Sequence, residues 1–219
     1  MSRRKRPRRR TGFLSKPGKM PGPSYSLPAD NCRTGHRLRR SQHSVCAFCY
    51  AMRGRYRFPA VRRAMQRHLR TIRDPRWVDR MVQAIRNSGA EHFRWHDSGD
   101  LQNMRHLRKI IAVCNALPEV KFWLPTKEHR LVERYRRVGG EIPPNLCIRY
   151  SSHFVDRAPP SKFGMPMSSV SSSPENTPAG AYRCSAEENG NVCGRCRACW
   201  DRRITLIDFP LKWYPQRNR

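Results

Sequence analysis

Two stretches in the first half of the chain repeat their apolar residues at the spacing of an amphipathic helix. In the first, Pro59–Ile72, arginines occupy the remaining faces and the apolar stripe consists of Val61, Met65, Leu69 and Ile72. The second, Trp77–Asn87, is followed by the stop signal Gly89, and its stripe consists of Val78, Met81, Val82 and Ile85. Both stripes are typical of helices that pack on a core, so we assign them to packing rather than to ligand binding.

Beyond residue 90 the pattern alternates between short apolar strands and longer helical stretches. Strands are predicted at His92–His96, Val120–Leu124 and Asn145–Tyr150. A helix is predicted over Leu101–Leu117 with Asp100 as its N-cap, and another begins after the N-cap Thr126 and ends at Gly139-Gly140. Strands that alternate with single helices define βαβ units, which form a parallel sheet with right-handed crossovers.

The chain is therefore predicted to adopt an α/β fold, an open or partial (β/α) barrel of parallel strands, with a doubly wound sheet as the alternative. A first strand is expected near Ser24–Leu27 and a last one at Ile204–Phe209, and Phe154–Ala179 is expected to be a loop around one short strand. We expect three parts: a disordered basic arm (1–10), a barrel-like domain with an N-terminal cysteine loop (11–180) and a cysteine-rich metal-binding segment (181–219).

Positive charge is the main compositional feature. The 219 residues contain 45 Lys and Arg against 16 Asp and Glu, a formal charge of +29, of which the arm carries seven. Such an excess favours a nucleic-acid partner, with an acidic protein surface or simple solubility as alternatives, and it makes the tryptophans candidates for base stacking: Trp95, Trp123, Trp200 and Trp213. No transmembrane run or signal peptide is visible, so we expect a reducing cytoplasm and no membrane partner.

The cysteines form two groups that are typical of metal ligands in a reducing compartment. Cys46 and Cys49 are two residues apart, and thirteen residues separate them from Cys32. Three thiolates leave one metal position open for a reactant, whereas a structural zinc site would be completed by His36 or His43. The second group has the spacing of an iron–sulfur site, with zinc as the alternative, and consists of Cys184, Cys193, Cys196 and Cys199.

Functional groups in parallel α/β folds gather where the strands end. The three clear strands end in the polar stretches His96–Asp100, Pro125–Glu128 and Arg149–Ser152. Asp100, Lys127 and Glu128 are the candidate catalytic residues; the alternatives are that Asp100 is only an N-cap and that Lys127 and Glu128 form a solvated first helical turn, which is the simpler interpretation of these two. His96 is either a metal ligand or a core histidine, and Cys114 and Cys147 are expected to be inert core residues.

Most of the chain beyond the arm resembles the phage gene product 88 family. The resemblance lies in Gly18–Pro21 through Ser26–Ala29, Val45–Ala51, Phe93–Leu101, Phe122–Lys127, Asn145–Ser151 and Val192–Trp200. It implies a phage or prophage origin, and therefore the cytoplasm of a bacterial host cell, rather than a particular activity.

Cys46-Ala47-Phe48-Cys49 is also similar to the second half of the cluster motif of radical S-adenosylmethionine enzymes, in which an aromatic precedes the last cysteine. This distant resemblance implies a (β/α) barrel and a [4Fe–4S] cluster on Cys32, Cys46 and Cys49, with S-adenosylmethionine on the open iron. The implied cofactor contacts are Phe48, Ser98, Gly99, Asp100 and Ser151. The chain departs from that superfamily in the long spacing after Cys32 and in carrying Asp100 where the superfamily has glutamate.

Two main hypotheses follow from these patterns. The first is an iron–sulfur enzyme, similar to radical S-adenosylmethionine enzymes, that acts on a nucleic acid or a nucleic-acid-associated substrate. The second is a basic nucleic-acid-binding protein in which zinc or an iron–sulfur cluster only staples loops. A third reading is a host-takeover protein that docks on an acidic host surface. The oligomeric state does not follow from the sequence.

Overall fold

A computed structural model describes residues 12–159 and 164–212. The predicted basic arm and Trp213 lie outside these residues. Seven strands form one sheet in the order β1-β2-β3-β4-β5-β7-β6, and every neighbouring pair is parallel. The strands are β1 (Ser24–Tyr25), β2 (His92–Trp95), β3 (Lys121–Thr126), β4 (Leu146–Ser151), β5 (Met167–Ser171), β6 (Tyr182–Arg183) and β7 (Leu206–Pro210).

In the described part of the chain five α-helices accompany the sheet: α1 (Arg33–Leu38), α2 (Pro59–Thr71), α3 (Trp77–Ser88), α4 (Met104–Asn115) and α5 (His129–Arg137). The predicted helices α2 and α3 are confirmed. Pro59 occupies the first turn of α2, where its missing N–H costs nothing, and Gly89 ends α3 with a left-handed φ of 63°. No helix within the described residues has the length and apolar character needed to cross a membrane.

Two predicted helix starts are wrong. Helix α4 begins at Met104, and its N-cap is Asn103, whose side chain accepts a hydrogen bond from the backbone N–H of His106. Asp100 is not the cap because its carboxylate binds the loop that follows β3 instead. Helix α5 begins at His129 without a side-chain cap, and the Thr126 hydroxyl accepts a hydrogen bond from the Glu128 N–H one residue before the helix.

The strand order follows the chain from β1 to β5 without a reversal. Right-handed crossovers in such an order place successive helices on one face of the sheet, and α4 contacts both α3 and α5. A doubly wound sheet would instead reverse direction at a switch point. The outermost strands, β1 and β6, do not pair with each other, so the sheet is not closed. The predicted α/β class and parallel sheet are confirmed, and β6 is a strand that the sequence analysis missed.

Tryptophans fill both faces of the sheet. Trp95 packs against Trp77 of α3 on the helix-covered face, with ring centroids 5.9 Å apart. On the other face the Trp123 ring lies 5.3 Å from Trp200, and the guanidinium of Arg94 lies 4.4 Å from the Trp123 centroid. The exposed fractions of Trp95, Trp123 and Trp200 are 0%, 4% and 8%. The prediction that these three stack on bases is therefore wrong, because their rings are already used for packing.

Arg149 ties the C-terminal cysteine segment to the sheet. It is fully buried on β4, and its guanidinium donates hydrogen bonds to the carbonyl oxygens of Met167, Ile204 and Asp201 at 2.9–3.0 Å. Carbonyl oxygens at this distance stabilise a guanidinium that has lost its contact with water. Arg149 thereby links β4 to the chain that leads from the cysteine segment into β7, which pairs with both β5 and β6.

Candidate functional site

The cysteine loop, which runs from Cys32 to Cys49, lies at the edge of the sheet where the parallel strands end. Cys32 follows β1 by seven residues and directly precedes α1. The loop then crosses to the segment after β4, where the Val45 N–H donates to the carbonyl oxygen of His153 at 3.0 Å and the Val155 N–H donates to the carbonyl of His43 at 3.0 Å. Segments that are more than a hundred residues apart in the chain are thereby joined at this edge.

Gly35 lies between the first two thiols of the loop. A Cβ built on Gly35 would lie 2.9 Å from the Cβ of Cys32 and 3.5 Å from the Sγ of Cys46. The side chains of Cys32 and Cys46 therefore converge on one bare α-carbon in the first half of α1. The thiol of Cys49 lies close enough to raise the pKa of both. The structure brings together the three cysteines that the sequence predicts as one group.

Burial governs the protonation of these thiols. It raises the pKa of Cys32 and of Cys46, because a thiolate is poorly solvated there, and the Asp100 carboxylate adds to this effect. The ammonium of Lys127 acts in the opposite direction and lowers the pKa of both thiols. The raised pKa favours the protonated form of Cys32 and Cys46, and binding a metal would release those protons.

Asp100 joins the loop after β2 to the end of β3. One carboxylate oxygen accepts hydrogen bonds from the Leu101 N–H (2.7 Å) and the Thr126 hydroxyl (2.6 Å), and the other accepts from the Lys127 N–H (2.8 Å). Burial raises the pKa of Asp100 to about 6 even though these three donors favour the charged form. Asp100 is thus a buried, fully engaged carboxyl beside the thiols.

This pKa predicts a pH-dependent stability. Because the folded pKa of about 6 exceeds the ordinary value of 3.8, the folded state binds more protons in that window, and the free energy of unfolding falls as the pH rises through it. The expected loss is up to about 3 kcal/mol between pH 4 and pH 6. Urea unfolding of wild type and Asp100→Asn across this range measures it. Parallel pH profiles for the two proteins would contradict the assignment.

Glu128 contacts the cysteine loop, and Lys127 is held by the residues around it, rather than the two forming a solvated helical turn. One Glu128 carboxylate oxygen accepts a hydrogen bond from the Thr34 N–H at 2.8 Å, two residues after Cys32. The Lys127 carbonyl accepts from the His153 ring at 3.1 Å, so its backbone is held from both sides. Glu128 therefore docks α1 on the sheet, and Lys127 is a positive group close enough to lower the pKa of both Cys32 and Cys46.

The Ser98-Gly99 turn clamps the chain that leads into the cysteine loop. The Ser98 hydroxyl donates to the Leu27 carbonyl at 2.8 Å, and the Leu27 N–H donates to the Ser98 carbonyl at 2.8 Å. Gly99 has a φ of 86°, and a Cβ on it would lie 2.5 Å from the Cβ of Leu27. Both residues have structural contacts in this turn, whatever they contribute to cofactor binding.

Two candidate cofactor contacts remain, Ser151 and Phe48. Ser151 ends β4, and its carbonyl accepts a hydrogen bond from the His129 ring at 3.0 Å while its hydroxyl accepts from Ser168 at 3.4 Å. Phe48 is half-buried within the cysteine loop. The contact of Ser151 and Phe48 with a cofactor stays a prediction.

Asp97 holds the segment that follows Cys49, a role that the sequence analysis missed. Its carboxylate is buried and accepts hydrogen bonds from the hydroxyls of Ser24 (2.6 Å), Ser26 and Tyr56 (2.9 Å), while its carbonyl accepts from the Tyr50 hydroxyl. The sequence features that match these contacts are the alternating serines Ser24 and Ser26 and the two tyrosines that follow Cys49, Tyr50 and Tyr56.

His96 lies in the core, away from the loop. Its Nδ1 is 3.0 Å from the Tyr25 carbonyl, its ring centroid is 5.2 Å from that of His106, and burial lowers its pKa to about 4. His36 and His43, the predicted alternative zinc ligands, are exposed. Cys114 and Cys147 are buried as expected.

The C-terminal cysteines lie on the sheet face that carries Arg94. Cys184 follows β6, where its N–H donates to the Asp208 carbonyl at 2.8 Å, and the Cys193 N–H donates to the Lys19 carbonyl at 2.9 Å. Burial raises the pKa of Cys193 and Cys199, while Arg94 lowers it. Cys196 adds a contact of 3.4 Å between its Sγ and the Tyr182 hydroxyl. The four thiols influence one another electrostatically and form a second group.

Within residues 12–159 and 164–212, no three His, Cys, Asp or Glu side chains are arranged to hold a single metal ion. Zinc–thiolate bonds of about 2.3 Å require such close convergence. In a cubane iron–sulfur cluster each cysteine binds a different iron, so the sulfurs stand further apart.

A family model described as Gene product 88 matches residues 2–202, which is nearly the whole chain. No curated protein and no solved structure matches the chain. The family match confirms the first of the two resemblances seen in the sequence. The resemblance to radical S-adenosylmethionine enzymes gains no support from it and stays a prediction.

Proposed function

This chain belongs to the gene product 88 family of phage proteins, and we propose that it is an iron–sulfur protein that acts on a nucleic acid. In this proposal Cys32, Cys46 and Cys49 hold the cluster and leave one iron open to a small molecule. S-adenosylmethionine is the ligand that the sequence resemblance implies. The observation that carries the proposal is the convergence of Cys32 and Cys46 on the bare α-carbon of Gly35.

The donor set supports a cluster better than a single zinc ion. Three thiols come together without a fourth cysteine, and the two nearby histidines that would complete a zinc site, His36 and His43, are exposed. A bound cluster supplies one-electron chemistry to a ligand on its open iron.

The neighbouring residues have assignable roles in this proposal. The Lys127 ammonium offsets the negative charge that the three thiolates acquire when the cluster binds. Asp100 positions the Lys127 backbone through a hydrogen bond of 2.8 Å, and Glu128 positions α1 through Thr34. Both carboxylates already accept hydrogen bonds from the chain, so positioning is the role that their contacts support, alongside the catalytic role that the sequence suggests.

We extend the proposal to the barrel and to the second cysteine group. The uninterrupted order from β1 to β5 is the order of a (β/α) barrel, which supports a partial barrel. The mutual proximity of the C-terminal thiols supports a second metal site, with an iron–sulfur cluster or zinc. Arg94 beside Cys193 and Cys199 would offset part of the thiolate charge there.

Anaerobic reconstitution tests the proposal. Protein incubated with iron and sulfide under reductant is expected to turn brown and to hold both elements in stoichiometric amounts. With S-adenosylmethionine and a strong reductant, we expect 5′-deoxyadenosine as a product by chromatography. A colourless protein that holds only zinc would contradict the iron–sulfur assignment, and a brown protein without this product would limit the contradiction to the S-adenosylmethionine step.

A second candidate is a metal-stapled nucleic-acid-binding protein without catalysis. The observation that favours it is the charge of +22 that remains on the chain after the arm is removed. This candidate predicts nucleic-acid binding that weakens steeply with salt, together with metal binding but no cleavage of S-adenosylmethionine. Capture of an acidic host protein that survives nuclease treatment would favour the host-takeover reading instead.

A further inference from the structure

One stretch of the chain has a charge pattern that the total charge conceals. Between Asp30 and Asp74 there is no acidic residue and no lysine, but there are twelve arginines. The same stretch contains all three cysteines of the first group. Arginine presents a planar fork of donors that matches phosphate oxygens, and it recognises them with better geometry than lysine does. The positive charge of the folded chain is therefore concentrated around the cysteine loop in the form best suited to phosphates.

Most of these guanidinium groups face solvent. Five of them lie close together in sequence and define what we call the arginine face: Arg53, Arg55, Arg57, Arg62 and Arg63. Among the described residues, Arg39 is the only one of the twelve that forms an ion pair, with Asp30 at 3.5 Å. The arginine face thus carries positive charge that no carboxylate of the described chain neutralises, and a polyanion would supply the missing counter-charge.

Phe58 is exposed in the middle of the arginine face. Its exposed fraction is 57%, and as the N-cap residue of α2 it accepts the Arg62 N–H on its carbonyl while its side chain makes no cap hydrogen bond. Three arginines precede it at alternate positions, and two more follow it in the first turns of the helix. An exposed aromatic between arginines is the arrangement that single-stranded nucleic acids use, because bases stack on the ring while phosphates bind the guanidinium groups.

A cavity of about 250 Å³ adjoins the arginine face. Ala29 and Ala51 line it, and these residues belong to the chain just before Cys32 and just after Cys49. Met52 and Met65 add apolar lining, Asp30 adds a carboxylate that is paired with Arg39, and Arg57 and Arg62 belong to both the cavity and the arginine face. Its volume is below that of sites for drug-sized molecules, so it suits a group no larger than a base.

We propose that this face binds single-stranded nucleic acid, with phosphates on the arginines, one base stacked on Phe58 and an unpaired base in the cavity. The inference rests on the proposed function for the class of partner and adds where and in what form that partner binds. Ala29 and Ala51, which line the cavity, flank the cysteine loop in sequence, so the proposal places a bound base on the same side of the molecule as the cluster. A duplex would keep its bases paired and out of reach of both Phe58 and the cavity.

Fluorescence anisotropy with labelled oligonucleotides tests the surface on the full chain. We expect Arg55→Ala/Arg57→Ala to weaken binding of a single strand about tenfold and to reduce the slope of log K against log salt by about 1.4, since each lost phosphate contact removes about 0.7. Phe58→Ala is expected to cost about tenfold, whereas Phe58→Trp retains wild-type affinity. Single-stranded DNA, single-stranded RNA and duplex DNA of one sequence form the three arms.

Matched controls lie on α5. Arg130→Ala/Arg134→Ala removes another exposed arginine pair, and Val138→Ala truncates another exposed apolar side chain. Both are expected to stay within about twofold of wild type. If the two arginine pairs have equal effects, or if duplex binds as tightly as single strands, the inference is wrong but the proposed function stands. If wild type binds no nucleic acid at all, the partner in the proposed function is wrong as well, and the iron content of the same samples tests the cluster separately.

Discussion

Cys46→Ala is expected to remove the iron of the first cysteine group after anaerobic reconstitution. Two remaining thiols from Cys32 and Cys49 cannot hold a cluster that uses three, so iron and sulfide per chain should fall by the full content of one site. Cys193→Ala should instead remove only the metal of the second group. Elemental analysis of both variants beside wild type distinguishes one site from two.

Cys114→Ala is the matched control, because this cysteine is buried in α4 and belongs to neither group. It should keep full metal content. Gly35→Ala tests the convergence itself without removing a thiol, since the added methyl would lie 2.9 Å from the Cys32 Cβ and push the two sulfur-bearing side chains apart. Gly18→Ala, with no atom within 4 Å of the added methyl, is its control. Wild-type iron content in Gly35→Ala would contradict the proposed geometry.

Gly99→Ala is expected to destabilise the metal-free protein by about 3 kcal/mol. Two costs add at this position. The φ of 86° disfavours any side chain, and the new methyl would lie 2.5 Å from the Cβ of Leu27 and 2.9 Å from its carbonyl oxygen. Because Leu27 is held by two hydrogen bonds from the same turn, it cannot move away without breaking them. Urea unfolding followed by circular dichroism measures the difference.

Gly89→Ala separates the two costs. Gly89 has a similar left-handed φ of 63° at the end of α3, but a Cβ there meets nothing within 4 Å. Its substitution should cost about 1 kcal/mol, which is the backbone cost alone. Equal destabilisation by the two substitutions would show that the close approach of Gly99 to Leu27 does not constrain the clamp.

The secondary structure was largely predictable because it depends on neighbours in sequence. The apolar stripe and Pro59 define α2, and Gly89 defines the end of α3. The starts of α4 and α5 were not predictable by the same argument, because Asp100 and Thr126 also have the residue type of a cap. Instead of capping helices, these two side chains bind each other: the Thr126 hydroxyl donates a hydrogen bond of 2.6 Å to the Asp100 carboxylate.

Exposure was the property that the sequence described least well. Trp95, Trp123 and Trp200 had the composition of a stacking surface, yet both faces of the sheet are covered and these rings are buried. The sequence pattern did not single out Phe58 for stacking, because it lies between helical stretches. Its ring is nevertheless exposed among the arginines. Alternating apolar and polar residues predict that one face of a strand is buried. They do not reveal that the other face is buried as well.

By itself the sequence determined the alternation of parallel strands and helices, the family and the excess of positive charge, because each of these depends only on local spacing or on composition. Only the tertiary structure decided that Cys32 returns to Cys46, that Asp97 anchors the segment after Cys49, and that Glu128 docks α1. The physical reason is that parallel strands end at one edge of the sheet, so residues far apart in the chain meet there. Which of them touch depends on packing at that edge and not on their spacing in sequence.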